Sequence, residues 1–317
     1  MPILGTVASS LLKSIGERAL FSAGYGSGYS LAISYVTITT TGNSVSFGNL
    51  TFANAYYAGS GCASTTRGIS IQGYVTAAVL YNGIQYSTFA TLGNGTTFGN
   101  STDYKAFAAT CSSATRGVTM GGSNSAGGSY GTVSTGLEYI TIATTGNATS
   151  FGTSTYPTDG LGGCASTTRG LFGGRTTTVY GRSIDIDYIT IATTGNTTTF
   201  GNCTTANSYC SSASSSTRGI FAGGNSNTQI DYVTIASTGN ATSFGSTTVN
   251  KQYMGSNASV AGSTKILIAG GYTGTAPTFA IDQITTASTG NATSFGNLLA
   301  SGGAYGISGM SNSHGGL

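Results

Sequence analysis

The residue types that most often perform chemistry are scarce in this chain. Among 317 residues there are five cysteines, one histidine and eight acidic side chains, and only 6% of residues are charged. A zinc or copper site needs several Cys or His ligands close together, and acid–base catalysis needs paired titratable groups. His314 stands near the C-terminal end without an evident nucleophile partner. These counts predict no metal site, no cofactor and no enzymatic activity.

The cysteines follow the repeat of the sequence and are not arranged in pairs. Cys62, Cys111 and Cys164 each precede an arginine by five residues, in "CASTTR", "CSSATR" and "CASTTR". A cysteine that returns at one structural position is typical of a small buried side chain, and this spacing does not indicate a disulfide framework. Cys203 and Cys210 are close enough for a local bridge, but "NCTTANSYC" gives no strong reason to expect one.

The arginines mark a long repeat. A basic residue opens each "RGΦFxGG" phrase, and the spacing between successive ones is about 50 residues. The six positions are Arg18, Arg67, Arg116, Arg169, Arg218 and Lys265. Each phrase is followed by "IDYΦTIA", "TTGN" and "ATSFG", as at 230–245. A guanidinium has five donors, so Arg67, Arg116, Arg169 and Arg218 are predicted to form a structural ring that bonds turn carbonyls of their own or the next blade; a ligand site is the alternative.

Each unit reads as four strands, A to D. In "IDYVTIA", Ile230 and Tyr232 face one way while Val233 and Ile235 face the other, so both faces of strand C are apolar and covered. Small residues in strand A, as in "YCSSASS", suit a crowded central axis. The "TGN" between strands C and D predicts a tight type II′ turn with glycine at its first central position. This pattern predicts an all-β, six-bladed β-propeller with four antiparallel strands per blade.

The C-terminal segment predicts how the ring closes. "LLASGGAYGISGMSNSHGG" resembles a D–A connection followed by a strand A, and no strand B comes after it. We expect residues 303–313 to form the innermost strand of the blade that contains Arg18, which leaves only short sheet edges. The domain prediction is therefore a propeller over 17–317. Residues 1–16 form an N-terminal attachment arm or, alternatively, the first strand.

The repeat resembles two groups of known proteins. The "FxGG" strand, the Asp-Tyr strand and the final aromatic strand resemble kelch-type propeller repeats. The wording "TRGIFAGG…IDYVTIASTGNATSFG" is similar to repeats in virion-associated proteins of tailed bacteriophages. The resemblance covers roughly residues 17–313, with Phe instead of Trp on strand D and Cys or Ala where kelch repeats often carry His. It implies a propeller in a phage particle, as a tail, fibre or capsid-attached protein.

The propeller topology predicts two different faces. A–B and C–D turns lie on a constant face, which carries "STTRG" and "TTGN" in nearly every unit. B–C and D–A connections lie on a variable face, where the units differ and tyrosines gather. Tyrosine provides contact area and a hydroxyl at low entropic cost, so this face is predicted to recognise a ligand. The candidates are Tyr25, Tyr29, Tyr74, Tyr81, Tyr104, Tyr130, Tyr180, Tyr272, Arg175 and Arg182.

Composition narrows the function. The net charge of +3 is too weak for a nucleic-acid partner, no apolar run is long enough for a membrane span, and the N-terminus lacks the layout of a secretory signal. The prediction is a non-enzymatic structural and adhesive virion protein, assembled in the host cytoplasm and displayed on the particle. Its expected partners are other virion proteins, through the N-terminal segment or the Arg-bearing face, and a host-surface glycan or protein. Whether the protein forms a homo-oligomer within the particle is left open by the sequence.

Two other functions fit the same sequence. One is an architectural decoration or spacer without a ligand. The other is a polysaccharide-degrading propeller enzyme, which requires acidic residues to converge in one pocket. Asp103, Glu138 and Asp159 are the residues to follow for that alternative.

Overall fold

The computed structural model describes residues 15–51, 58–71, 73–76, 79–124, 132–178, 181–225, 227–255, 257–300 and 304–317. In chain order the strands are β1 (Arg18–Ser22), β2 (Ala32–Thr37), β3 (Val45–Asn49), β4 (Ser60–Ala63), β5 (Arg67–Ile71), β6 (Tyr74–Thr76), β7 (Val79–Leu80), β8 (Gly83–Thr88), β9 (Thr96–Asn100), β10 (Ala109–Ser112), β11 (Arg116–Met120), β12 (Gly136–Thr141), β13 (Thr149–Thr153), β14 (Thr158–Asp159), β15 (Gly162–Ala165), β16 (Arg169–Gly173), β17 (Thr176–Thr177), β18 (Gly181–Thr190), β19 (Thr198–Asn207), β20 (Ser211–Ser214), β21 (Arg218–Ala222), β22 (Gln229–Thr234), β23 (Thr242–Ser246), β24 (Ser259–Ala261), β25 (Lys265–Ala269), β26 (Ala280–Thr285), β27 (Thr293–Asn297) and β28 (Ser308–Ser311).

Six antiparallel sheets form the predicted propeller. From the innermost strand outwards, blade 1 is β28-β1-β2-β3, blade 2 is β4-β5-β8-β9, blade 3 is β10 to β13, blade 4 is β15-β16-β18-β19, blade 5 is β20 to β23 and blade 6 is β24 to β27. The innermost strands contact their neighbours all the way round, and β28 lies between β24 and β4. The six-bladed β-propeller is therefore confirmed. Short strands β14 and β17 extend the sheet of blade 4 on the variable face.

The C-terminal strand closes the ring. β28 pairs antiparallel with β1, with Met310 opposite Leu20 and Ser308 opposite Ser22. The blade that begins with Arg18 thus receives its innermost strand from the other end of the chain, as predicted. Residues 1–14 lie outside the described residues, so the attachment arm remains a prediction. Among the residues that the structure describes, no helix has the length and apolarity that a membrane crossing requires.

The hydrophobic core lies between the blades. One cluster joins Ile69, Ile84 and Phe98 of blade 2 to Ile140 and Ile142 of blade 3, all of them buried. Strand C is covered on both faces, as its sequence predicts, because each blade packs between two others. We call the contact between two neighbouring blades a seam, and most apolar area of the chain is buried in seams.

The connection between strands C and D differs from the predicted tight turn. In blade 1 the turn comes earlier, where Thr40 N donates to Thr37 O at 3.1 Å, and Gly42 adopts φ 159° instead of occupying a type II′ turn. Gly42 N donates to Phe295 O of blade 6, and Ser44 N donates to Asn297 O. The "TGN" phrase therefore bonds the neighbouring blade, and its glycine does not close a hairpin.

Candidate functional site

The constant face is built from bonds between blades. The asparagine of each "TGN" accepts a hydrogen bond from the last residue of strand D in the preceding blade; Asn94 Oδ1, for example, accepts from Asn49 N at 2.9 Å. The same bond recurs at Asn43, Asn147, Asn196, Asn240 and Asn291. A Cβ at the glycine of "FG" would lie only 2.0 to 2.3 Å from a carbonyl oxygen of the next blade. The most constant phrases of the sequence, "TGN" and "FG", therefore form the contacts between neighbouring blades.

The arginine ring bridges five of the six seams. Arg67 Nη1 donates to Ile142 O at 3.1 Å and Ala143 O at 2.8 Å in the next blade, and its guanidinium lies 4.5 Å from the centre of the Tyr86 ring in its own blade. We call this arrangement an arginine bridge, and Arg18, Arg116, Arg169 and Arg218 repeat it. Each of these side chains is occupied by protein carbonyls and a tyrosine face.

The seam between blades 6 and 1 is built differently. Lys265 and Gln283 stand where the other blades have Arg and Tyr. The Lys265 ammonium makes no hydrogen bond or ion pair to the described residues, and Gln283 Oε1 is buried without a partner. Glu17 of blade 1 bonds this seam instead, since its Oε2 accepts from Ser263 N at 3.1 Å.

The periodic cysteines pack across the seams as small buried side chains. All five are free and buried. A Cβ at Gly117, the glycine that follows Arg116, would lie 2.6 Å from Cys62 Sγ of the preceding blade, so the glycine makes room for the sulfur. Burial raises the pKa of Cys62 to about 12, which keeps it a thiol. In the described part of the chain, no three His, Cys, Asp or Glu side chains group to hold a metal ion.

Aromatic side chains converge at the axial end of the variable face. Phe107, Tyr209, Tyr253, Tyr272 and Tyr305 line a cavity of about 320 Å³, which we call the aromatic cup. Ring centres are 5.2 Å apart for Phe107–Tyr209, 5.1 Å for Tyr209–Tyr253 and 5.7 Å for Tyr272–Tyr305. These tilted and edge-on contacts are the favourable geometry for aromatic pairs. Five side chains from distant parts of the chain thus form one wall.

Three of the predicted recognition residues belong to this cluster. Tyr272 lines the cup, Tyr25 lies 5.4 Å from Tyr305 and Tyr29 lies 5.1 Å from Tyr25. Burial raises the pKa of Tyr305, and the neighbouring phenols of Tyr25, Tyr272, Tyr29 and Tyr253 raise it further. The raised pKa keeps the Tyr305 phenol protonated at neutral pH.

The remaining predicted recognition residues are scattered. Tyr81 and Tyr104 are exposed on the variable face, as is Arg182 on β18. Tyr130 and Tyr180 lie outside the described residues. The structure does not bring Tyr81, Tyr104 or Arg182 into the aromatic cup.

Two of the predictions on this face need correction. Tyr74 is only 6% exposed, because it packs against Phe107 with ring centres 5.7 Å apart. Arg175 is only 1% exposed, because its guanidinium is enclosed between Asp187 at 2.5 Å and Asp185 at 3.2 Å. A buried guanidinium whose Nη1 and Nη2 are paired with two aspartates is unavailable to a ligand, so Arg175 stabilises the base of the β17–β18 hairpin instead.

The floor of the cup is a ring of six residues, which main-chain hydrogen bonds join at five of the six steps. Each D–A connection contributes one residue with positive φ: Ala58, Phe107, Gly160, Tyr209, Tyr253 and Gly306. Phe107 N donates to Ala58 O, Gly160 N to Phe107 O and Tyr209 N to Gly160 O; Gly306 N donates to Tyr253 O and Ala58 N to Gly306 O. We call these six residues the connector ring. Positive φ costs free energy for an aromatic residue, so the ring bonds hold Phe107, Tyr209 and Tyr253 in place.

The axis below the connector ring is nearly filled. Asn257 Nδ2 donates to Thr110 O and Gly163 O, both at 2.9 Å, so it links blade 6 to blades 3 and 4. At the opposite end, His314 Nε2 lies 2.9 Å from Ala63 O, and Gly316 N donates to His314 Nδ1 at 3.1 Å. The cavity left along the axis is about 40 Å³, enough for one or two waters. The cup is therefore closed at its base.

The three acidic residues named for the enzyme alternative have different surroundings. Glu138 is buried and bonded to Thr102 and Lys105. Asp103 Oδ1 accepts from the backbone N of Tyr104. Asp159 is buried with an unpartnered Oδ1, and burial raises its pKa to about 6.

The repeats contained a signal for the residues that the sequence analysis missed. Phe107 and Tyr209 stand two residues before their strands A, at the same position as Ala58. Aligning the D–A connections on strand A shows that this position holds either an aromatic or a small residue in five blades, whereas Tyr253 stands six residues before its strand A. It does not reveal that the side chains meet on the axis, which depends on the curvature of the ring. No protein-family profile and no curated protein matches this chain.

Proposed function

We propose that this protein is a non-enzymatic adhesive and structural component of a bacteriophage particle, which contacts the host surface through its variable face. The propeller gives a rigid scaffold with two faces of different character. The constant face uses its polar groups in bonds between blades. The variable face has the aromatic cup, which nothing in the described structure fills.

The aromatic cup is the observation that carries the binding role. Ligand sites are concave, largely apolar and furnished with a few polar groups. A wall of four tyrosines and one phenylalanine fits that description. The connector ring fixes the backbone of Phe107, Tyr209 and Tyr253, which lowers the entropic cost of binding. The placement in a virion rests on the resemblance of the repeats to virion-associated proteins. The constant face and the N-terminal segment are the surfaces proposed for contacts with other virion proteins.

The low charge of the chain predicts how adhesion responds to salt. Among the residues that the structure describes, no charged side chain lines the aromatic cup. Screening weakens attraction between exposed charges and leaves apolar and hydrogen-bonded contacts largely unchanged. Adhesion should therefore vary little between about 0.05 and 0.3 M salt.

Cell adsorption tests this function. Labelled full-length protein is mixed with a panel of bacterial strains that includes the host of the particle, and bound protein is measured at both salt concentrations. Saturable binding to host cells, together with labelling of the outer surface of intact particles by an antibody against this chain, supports the proposal. A chain that is buried at a joint of the particle and does not adsorb to any strain is architectural instead.

A further inference from the structure

The shape of the aromatic cup restricts what can enter it. Its walls come from connections in several blades around the axis, and its floor is the connector ring with Asn257 below. A long polymer that crosses a protein surface needs a groove open at both ends. A cup closed at its base accepts the end of a chain or a single small group. Its volume of about 320 Å³ is at the lower limit for ligand sites, which suits one or two small rings.

The chemistry of the lining restricts the occupant further. Of the five described residues that line the cup, four are tyrosines and none is charged. A flat apolar ring face suits an aromatic wall, whereas surrounding phenol groups suit a ligand that also carries hydroxyls. A quaternary ammonium ion is also attracted to aromatic rings, but no carboxylate lines the cup to balance its charge. A pyranose ring has one apolar face and a rim of hydroxyls, so it matches both properties.

The aromatic rings are held in place before any ligand arrives. Phe107, Tyr209 and Tyr253 have φ values of 59°, 55° and 50°, a conformation that bulky residues rarely adopt. Strained backbone of this kind persists where the surrounding structure fixes it, and it gathers at binding sites. Here the connector ring fixes it through hydrogen bonds between blades.

We propose that the aromatic cup binds the terminal ring of a neutral glycan, with the pyranose stacked on the wall and its hydroxyls directed to the tyrosines. The inference deepens the proposed host-surface role, because it names the ligand class and the site. The outer parts of the variable face, including exposed Tyr81 and Tyr104, then lie beside the glycan chain rather than around its end.

Another position of the connector ring shows which substitution the backbone accepts in the test variants. Ala58 has φ 64° at the same position of the connector ring. Replacing Tyr209 or Tyr253 by Ala therefore removes a cup ring and keeps a residue that this backbone already accepts. Tyr81→Ala is the matched control, since Tyr81 is 43% exposed on the same face and does not line the cup.

Binding is measured by tyrosine fluorescence and by saturation-transfer NMR, and the absence of tryptophan keeps the emission simple. The probes are methyl pyranosides of glucose, galactose, mannose, N-acetylglucosamine and rhamnose, with tetramethylammonium as the cationic comparison. We expect at least one pyranoside to bind with a Kd of about 1 mM, and Tyr253→Ala to weaken it about tenfold. Tyr81→Ala should leave the affinity unchanged. An oligosaccharide that carries the same sugar only internally should not bind.

Each alternative result overturns the inference in a distinct way. Tetramethylammonium binding without pyranoside binding rejects the ligand class. Pyranoside binding that Tyr81→Ala weakens and Tyr253→Ala preserves rejects the cup as the site. Equal binding of terminal and internal sugars rejects the recognition of chain ends. If no probe binds while labelled protein still adsorbs to host cells, the glycan inference fails and the adhesive function stands.

Discussion

Five seams of this propeller contain an arginine bridge, and the sixth does not. Between blades 2 and 3, Arg67 bonds two carbonyls of the next blade and stacks on Tyr86. Between blades 6 and 1, Lys265 makes no such bond, and Glu17 accepts from Ser263 N instead. The sixth seam adjoins the blade in which the two ends of the folded chain pair, since β28 and β1 share a sheet.

The difference indicates that two kinds of interaction keep the ring closed, the arginine bridges and the pairing of β28 with β1. All six seams share the asparagine bond of "TGN", and the five seams between consecutive repeats have an arginine bridge as well. At the sixth seam the neighbouring blade is completed by β28, and the pairing of β28 with β1 resists opening. An arginine bridge is therefore less necessary there. The following predictions distinguish the contributions of these two kinds of interaction to stability, beginning with the largest effect.

Removing residues 300–317 should have the largest effect. The deletion takes away β28, exposes the edge of β1 and opens the ring, so the free energy of unfolding should fall by at least about 4 kcal/mol. Urea unfolding followed by circular dichroism measures it. A chain that ends at residue 312 keeps β28 and should lose far less. If the deletion of 300–317 melts with the parent, strand pairing does not close the ring.

Arg116→Ala should have the next largest effect. It removes the bonds to Ile191 O and Ala192 O at 3.0 and 2.8 Å, along with the contact to the Tyr139 ring. We expect a loss of about 2 kcal/mol in the free energy of unfolding. The matched control is Lys265→Ala in the sixth seam, which should cost less than about 0.5 kcal/mol. Equal losses for the two variants would show that the seams are held alike.

An arginine bridge introduced into the sixth seam should stabilise the ring. The double variant Lys265→Arg with Gln283→Tyr restores the residue types of the other blades and removes the unpartnered Gln283 Oε1. A gain of about 1 kcal/mol is expected, because the guanidinium can reach the carbonyls that follow strand C of blade 1. Lys265→Arg alone is the control, and it should gain less because it lacks the tyrosine face. No gain in the double variant would indicate that Glu17 already satisfies this seam.

Mild acid should weaken the closing segment slightly. Burial lowers the pKa of His314 below its ordinary value of 6.5, and the Ala63 carbonyl opposes this only in part. The folded state then binds fewer protons than the unfolded state, so its contribution to stability is present above pH 6.5 and declines as the pH falls below it. The slope cannot exceed about 1.4 kcal/mol per pH unit for one proton.

The effect of His314 is measured as a difference between two chains. Asp159, with its pKa raised to about 6, changes stability in the opposite direction over the same range, because acid favours its buried neutral form. Comparing the parent with His314→Gln between pH 7 and 5 cancels that contribution. Parallel pH profiles for the two chains would show that the histidine does not couple closure to pH.

Much of the fold could be predicted from the repeat. The period of about 50 residues, the apolar faces of strand C and the strand-like tail were enough for six blades and their closure. These signals are local, and each of them recurs in six similar units, so a weak signal in one unit is supported by the others. The "TGN" turn was predicted wrongly because its glycine and asparagine bond the next blade, a demand that a single hairpin does not reveal.

The candidate site was less predictable because it depends on convergence. Tyr25, Tyr29 and Tyr272 were selected as loop tyrosines, but Phe107 and Tyr209 stand on connections that approach the axis only once the ring is closed. Arg175 looked exposed in a polar loop, and its burial depends on two aspartates of β18. Composition identifies which residues suit recognition, whereas the curvature of the ring decides which of them meet.

In the connector ring, main-chain bonds determine the shape of the cup, whereas side chains determine which groups line it. Its hydrogen bonds run through main-chain atoms, and its six positions already hold two glycines, an alanine, a phenylalanine and two tyrosines with similar backbone angles. A point mutation at one of these codons exchanges a wall of the cup without altering a seam. Substitutions at these positions can therefore change the side chains that the axial opening presents, while the main-chain bonds between the blades stay the same.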